Sequence, residues 1–386
     1  MTDTSSNIGT IKLQLAVFAL VSASFTNIYL TQPILPVLQQ EFGVSTIQVS
    51  FTVSIVIFGI VLSNLFFGYL SDKMPIHPIL LIGGICVALA GLCAALTHDF
   101  RLLVTARLVQ GLFIPALTTS LAAWLARTLP MERLSVVMGS YVSATVLGGL
   151  GGRLLGGWIH PPLHWRYAFF SAAALILVTT ILALIALPRT SQHVNSTGSS
   201  TTSYRSLLFN KDLFLYYCCG AGAFLMFSPI FNYLPYRLAG APFHFSTELI
   251  TLIYLVYVLG IFLGPIAGRL SNTYGGGTTL IAGTVILGIS QALLLISSIY
   301  SVILGLLGIC AGFFTIHAVA VGLLNSRLSD GHGKANALYV LFYYGGGWLG
   351  ITGAGFAFEY KGWTGVIFFV MCFLAVPLIT GLKNRT

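Results

Sequence analysis

Eleven stretches of this 386-residue chain contain no Asp, Glu, Lys or Arg: 13–40, 42–71, 74–98, 108–126, 134–152, 167–188, 213–236, 249–268, 270–326, 335–358 and 362–382. An α-helix rises about 1.5 Å per residue, so roughly 20 apolar residues cross a bilayer's hydrocarbon core. Each stretch can hold one span. The longest, 270–326, holds two, with the polar run Ser297–Ser301 (SSIYS) as the expected turn. Twelve spans result. Lipid cannot satisfy the hydrogen bonds of irregular backbone, so runs of this length must be helices. Composition agrees: 7% of residues are charged and 56% hydrophobic, against about 25% charged in soluble domains. The reading is an all-α membrane protein.

The charges that remain set an orientation. With a cytoplasmic N-terminus, the inner segments carry Lys12, Lys73, Arg127, Arg133, Arg189, Arg205, Lys211, Arg269, Arg327, Lys334, Lys383 and Arg385. The outer loops carry Arg101, Arg166, Arg237 and Lys361. Twelve basic residues inside against four outside is the bias expected of a protein with both termini in the cytoplasm. Topology therefore accounts for the net charge of +9, and nucleic acid is not implied as a partner. The first apolar run is too long for a signal-peptide core and reads as a retained span. The six cysteines fall inside spans without metal-ligand spacing, and read as small apolar fillers. No cofactor is implied.

One polar segment divides the chain. Residues 188–212 (PRTSQHVNSTGSSTTSYRSLLFNKD) are rich in Ser and Thr and lack apolar periodicity, as a cytoplasmic linker does. The expected organisation is an N-terminal six-helix half over 1–187, the linker, and a C-terminal six-helix half over 213–386. The halves repeat one another. Gly68, Leu70 and Ser71 return as Gly268, Leu270 and Ser271, and Gly148, Gly149, Gly152, Gly157 and Trp165 return 198 positions later as Gly346, Gly347, Gly350, Gly355 and Trp363. A parallel six-plus-six duplication is one plan of secondary transporters.

Several motifs sit on this frame. The loop after the second span reads Gly68-x-Leu70-Ser71-Asp72-Lys73, then Pro75, Ile76 and His77. The fourth span carries Arg107-Leu-Val-Gln110-Gly111, the fifth Gly148-Gly-Leu-Gly-Gly-Arg153, and the entry to the sixth Trp165-Arg-Tyr-Ala-Phe169. In this order the chain resembles the major facilitator superfamily over nearly its whole length, and within it the bacterial drug:proton antiporter and sugar-efflux branches. The loop departs from the family pattern at Pro75, Ile76 and His77, and the fifth-span motif at Gly149 and Arg153. The resemblance implies the major facilitator fold, with twelve transmembrane helices in two pseudo-symmetric halves. It also implies that Gly68, Asp72 and Lys73 gate one conformation, Asp72 pairing with a basic residue and facing a helix N-terminus of the other half, where the dipole favours a carboxylate. A tight polar turn with snorkelling side chains is the plainer reading.

A transporter needs polar groups at membrane depth, and all nine carboxylates lie at span ends or in loops. That argues against an organic cation as substrate. Arg107 and Arg153 do fall within spans. A buried Arg costs at least ~2.5 kcal/mol on insertion scales, so each is expected to face a cavity or a partner. Either could serve an anionic or zwitterionic group, or could be held structurally by helix carbonyls. His317 is the one histidine well inside a span, and imidazole titrates near neutral pH. Gln110, one turn from Arg107, joins the candidates. So do Tyr29 with Gln32 in the first span and Asn232 with Tyr236 in the seventh, each spaced to share a helical face beside a proline. Tyr254 with Tyr257 and Tyr339 with Tyr343 are similar pairs, and interfacial aromatic belts explain such pairs equally well.

The sequence thus reads as a monomeric secondary transporter of a bacterial inner membrane. Its partners would be a small-molecule substrate, membrane lipid and protons. Proton-coupled export of an anionic, zwitterionic or neutral solute, such as a carboxylate metabolite or siderophore, is the leading expectation. Uptake of such a solute and multidrug efflux are the alternatives. A channel would not explain the repeat, and no nucleophile–base pair, metal cluster or ATP-binding motif suggests an enzyme or an ATP-driven pump.

Overall fold

The computed structural model describes residues 2–188 and 202–385, and among them the secondary structure is helical throughout. The long helices are α1 (Thr2–Tyr29), α2 (Thr46–Lys73), α3 (Ile76–Leu96), α4 (Phe100–Thr128), α5 (Met131–Ile159), α6 (Arg166–Ala186), α7 (Lys211–Ala239), α8 (Thr247–Tyr274), α9 (Gly276–Leu293) and α10 (Ile299–Ser326). A last helical run, His332–Lys383, is broken at Lys361 and Gly362, whose backbone angles are non-helical. It therefore counts as α11 (332–360) and α12 (363–383). Twelve helices long enough to span result, and the protein is all-α. The 188–212 linker lies, over residues 189–201, outside the described residues. Its end is pinned: Lys334 Nζ donates to Thr202 O (2.8 Å) and Thr202 Oγ1 to Asp330 Oδ2 (3.0 Å).

The polar residues between the apolar runs act as caps. Asp99 Oδ1 accepts from Arg101 N (2.7 Å) at the start of α4, and Asn210 Oδ1 accepts from Asp212 N (3.0 Å) at the start of α7. Each satisfies a donor that a helix N-terminus leaves open. Gly275, at φ 85°, makes the tight joint between α8 and α9. One expectation is corrected: α9 ends at Leu293 and α10 begins at Ile299, so Ile299–Ser301 are helical and the joint lies at 294–298. Ser301 Oγ donates to Leu293 O (2.7 Å), which lets the polar run start a helix rather than a loop.

Packing divides the chain into two compact units: Met1–Ile34 with Phe58–Thr197, and Leu35–Ile57 with Gly198–Thr386. The sequence reading puts residues 35–57 in the N-terminal half, yet they pack in unit 2. Asn232 Nδ2 of α7 donates to Ser50 Oγ (3.2 Å), and Ile47 N donates to Glu359 Oε1 of α11 (3.4 Å).

Within each unit the first and fifth helices approach through the repeated glycines. A Cβ on Gly148 or Gly152 would strike the backbone of Ser22 or Thr26 on α1. A Cβ on Gly346 or Gly350 would strike Ala221 or Leu225 on α7. The sequence offset of 198 on the fifth helices becomes 199 on their partners, so one backbone-to-backbone contact is built twice. Helices in lipid gain little by hiding apolar surface from one another, so close approach through small residues is a main source of cohesion.

Candidate functional site

The buried polar groups form separate clusters in the two units. In unit 1, Arg107 is wholly buried and its guanidinium forks onto α1: Nη1 donates to Asn27 O (2.6 Å) and Nη2 to Ile28 O (2.7 Å). Nη1 also donates to Gln110 Oε1 (2.7 Å), while Gln110 Nε2 donates to Asn27 Oδ1 (3.2 Å) and Val87 O (3.3 Å). Asn27 and Ile28 belong to the last turn of α1, where a helix runs out of its own N–H donors. The C-terminal end of a helix carries partial negative charge and favours a cation. This arginine therefore needs no carboxylate: the end of α1 is its counter-charge, and the ring of Phe169 lies 5.7 Å from its carbon centre.

Arg153 brings together two other expected residues. Its Nε donates to Gln32 Oε1 (2.8 Å), its Nη1 to Gly149 O (2.7 Å), and its guanidinium lies 4.2 Å from the Tyr29 ring centroid. Gln32 Nε2 is buried without a hydrogen-bond partner, so this corner keeps one spare donor. Tyr29 closes α1 and Gln32 opens the 3-10 turn Gln32–Ile34, so the break after Tyr29 is what lets both reach one guanidinium.

The loop residues take up a third arrangement in unit 1. Asp72 forms an ion pair with Arg127, from the last turn of α4, and Arg127 Nη2 donates to Ser71 O (2.6 Å) near the end of α2. Both side chains are partly open to solvent, so the pair is worth only about 0–1 kcal/mol. Lys73 Nζ lies 5.8 Å from the Tyr69 ring, and Gly68 faces Thr119 at the crossing of α2 and α4. Ile76, where the family pattern has arginine, is the first residue of α3 and is buried.

In unit 2 the interior is aromatic. Phe224, Phe227 and Phe231 of α7 meet Tyr257 of α8, Phe313 of α10 and Tyr343 of α11, with the Phe227 and Phe313 rings stacked at 3.8 Å and Phe224 and Tyr343 at 4.2 Å. His317 stands at the edge of this stack. Its Nδ1 lies 3.0 Å from Tyr339 Oη, and its ring 4.9 Å from that of Tyr343. The pair Tyr339 and Tyr343 thus shares a helical face, and that face meets His317. Tyr254 Oη donates to Phe231 O (2.9 Å). That carbonyl lies four residues before Pro235, which has no N–H to give it.

Asn232 and Tyr236 lie apart from that stack, on the side of α7 that meets residues 46–57 and α11. Tyr236 packs at 5.5 Å from Phe358. The sequence reading missed Asn27, Phe169 as the ring beside Arg107, Arg127 as the partner of Asp72, and Ser50. Asn27 and Ser50 were visible as polar residues inside apolar runs. Arg127 counted only as an inner charge.

This architecture, twelve spanning helices with buried polar clusters and a charged pair after the second, is that of a multi-pass membrane transporter. The sequence matches the family model of the Major Facilitator Superfamily over residues 17–240, and the chain belongs to that family. It is 29% identical over 376 residues to the Inner membrane transport protein YnfM of Escherichia coli (strain K12), covering 96% of this chain and 90% of that protein. It is 28% identical over 384 residues to the MFS-type transporter YybF of Bacillus subtilis (strain 168), covering 97% and 94%. The fold is similar to the crystal structure of a bacterial homologue of the human lysosomal transporter Spinster in an inward-facing and unoccupied conformation. The TM-score is 0.76 at 14% identity, with 98% of each chain covered. These relatives are transporters, and this chain is not an enzyme.

Proposed function

We propose that this protein exports a small organic solute across a bacterial inner membrane in exchange for protons, with His317 as the proton-carrying group. The observation that carries the reading is the contact of His317 Nδ1 with Tyr339 Oη in the interior of unit 2. Described carboxylates stand at helix ends: Asp72 is the penultimate residue of α2, Asp212 and Glu248 lie in first turns, and Glu359 is exposed. An imidazole titrates near neutral pH and a phenol can pass a proton to or from it. The two buried arginines support a substrate that is anionic, zwitterionic or neutral. Their donors are engaged by carbonyls and amides, so they contribute positive potential more than an open fork.

In this reading the halves 1–187 and 213–386 alternate around the substrate, both termini are cytoplasmic, the protein works as a monomer, and Asp72 with Arg127, Gly68 and Lys73 closes the cytoplasmic side. The test compares metabolites in cells lacking the protein and cells overproducing it. Solutes retained by the deletion support export, whereas solutes left in the medium overturn it in favour of uptake. For the solute so found, proteoliposomes under an imposed pH gradient should show proton-driven movement in wild type and loss of that response in His317→Gln. Equal responses remove His317 from the mechanism. Asp72→Asn should abolish movement with the protein still folded.

A further inference from the structure

Gly220 of α7 stands where any side chain would collide with Tyr339 of α11. A Cβ at this position would fall 2.6 Å from Cζ, 2.7 Å from Cε2 and 2.7 Å from Oη of the tyrosine. Non-bonded carbon atoms pack at about 3.5–4.0 Å, so even one methyl group has to push the ring aside by about 1 Å. The two helices cannot part to make room, because Gly346 of α11 already rests on the backbone of Ala221, the next residue of α7. Gly346 and Gly350 face backbone, which does not yield. Gly220 faces the far end of a side chain, which does. Filling this position should therefore give a folded protein with a displaced Tyr339.

The displaced atom is the one that meets His317. Tyr339 is buried, and its hydroxyl lies 3.0 Å from His317 Nδ1. Hydrogen bonds of this kind run from about 2.7 to 3.2 Å, so a shift of about 1 Å breaks the contact. Phe313, whose ring lies parallel to the imidazole at 6.0 Å, has no polar atom to take the place of the hydroxyl. A phenol can donate to a neutral imidazole nitrogen and accept from a protonated one. Tyr339 can therefore serve His317 in either protonation state, provided that its ring is held in place.

We propose that Gly220 is a positioning residue for the His317 site: by lacking a side chain it seats the Tyr339 ring so that the hydroxyl meets Nδ1 of His317. The inference rests on the reading of His317 as the proton carrier and adds the residue that keeps its partner in register. A third helix thereby enters the site, since α7 sets a contact made between α10 and α11.

Nitrogen NMR of the full-length protein carrying isotope-labelled histidine tests the seat, because an imidazole nitrogen resonates differently when it is hydrogen-bonded. The signal missing from His317→Gln identifies His317 among the eight histidines. Tyr339→Phe should remove the hydrogen-bonded Nδ1 signal, and Gly220→Ala should remove it as well. In the Tyr339→Phe background, adding Gly220→Ala should change the His317 signal no further. Gly260→Ala is the control: a Cβ there falls 2.3 Å from the Phe314 ring, which is crowded in the same way and has no hydroxyl. That variant should keep the signal. An unchanged signal in Gly220→Ala overturns the proposal, and so does loss of the signal in Gly260→Ala, since any crowding would then suffice. If Gly220→Ala does not fold, adding Tyr339→Leu removes the struck atoms and should restore folding to the level of Tyr339→Leu alone. Failure to restore it overturns the seat. These measurements read the contact whether or not His317 carries the proton, which the pH-gradient comparison of wild type with His317→Gln judges separately.

Discussion

Both units bring helix ends and broken helix backbone into their interiors, and they satisfy the exposed carbonyls with different chemistry. In unit 1 the donors are arginines. Arg107 forks onto the end of α1, Arg127 reaches Ser71 O near the end of α2, and Arg166 donates to Ala95 O (3.0 Å) and Thr97 O at the end of α3. In unit 2 the donors are neutral and aromatic. Tyr254 Oη takes the α7 carbonyl that Pro235 cannot serve, and Trp363 Nε1 donates to Leu294 O (2.8 Å) just past the end of α9. The glycine contacts that join first and fifth helices are the same in both. Duplication kept the backbone packing and let the side-chain chemistry diverge. A unit whose carbonyl caps are charged and one whose caps are neutral and aromatic can then contribute different properties to a single transporter.

The shared part of this comparison should show the largest effect. Gly152→Val and Gly350→Val each force a side chain into a neighbouring backbone that cannot move aside, so neither variant should yield folded protein by fluorescence-detected size exclusion. If one is tolerated and the other is not, the two units do not share a scaffold.

Next in size is the charged cap of α1. Arg107→Ala removes two charge-assisted hydrogen bonds worth about 1.5–3 kcal/mol each, and should lower thermal stability by the most among the cap variants. Arg107→Lys should fall between, since an ammonium keeps the charge and loses the planar fork. Equal stability of Arg107→Ala and wild type would mean that the guanidinium is not a cap and is free for substrate.

The smallest effects should come from the neutral caps. Tyr254→Phe and Trp363→Phe each delete one uncharged donor, worth about 1 kcal/mol. The loss in melting temperature that each causes should also change less with ionic strength than the loss caused by Arg166→Gln, because salt screens the partly exposed Arg166 charge of the wild type. If Tyr254→Phe costs as much as Arg107→Ala, the contrast between the units fails.

Much of this was legible in the residues. The charge-free runs marked the helices, the Gly148/Gly346 repeat marked the places of closest approach, and Asp72 and Arg107 stood out as charges in an apolar chain. Tyr29, Gln32 and Arg153 were separately conspicuous, but nothing in their spacing tied residues 121 and more positions apart to one guanidinium. Arg127 and Arg166 looked like orientation signals alone. Their second use, capping α2 and α3, depends on which helix end lies beside them.

The sequence by itself determined that the chain is a helical membrane protein with twelve long helical segments, and it placed their turns except the one between α9 and α10, which lies at 294–298. Those properties follow from the balance of apolar and charged residues along a short window, which the bilayer reads locally. Tertiary structure alone decided that Arg107 serves the end of α1, that Arg153 gathers Tyr29 and Gln32, and that His317 meets Tyr339. A hydrogen bond needs its two groups within about 3 Å. Between helices far apart in sequence, only packing sets that distance.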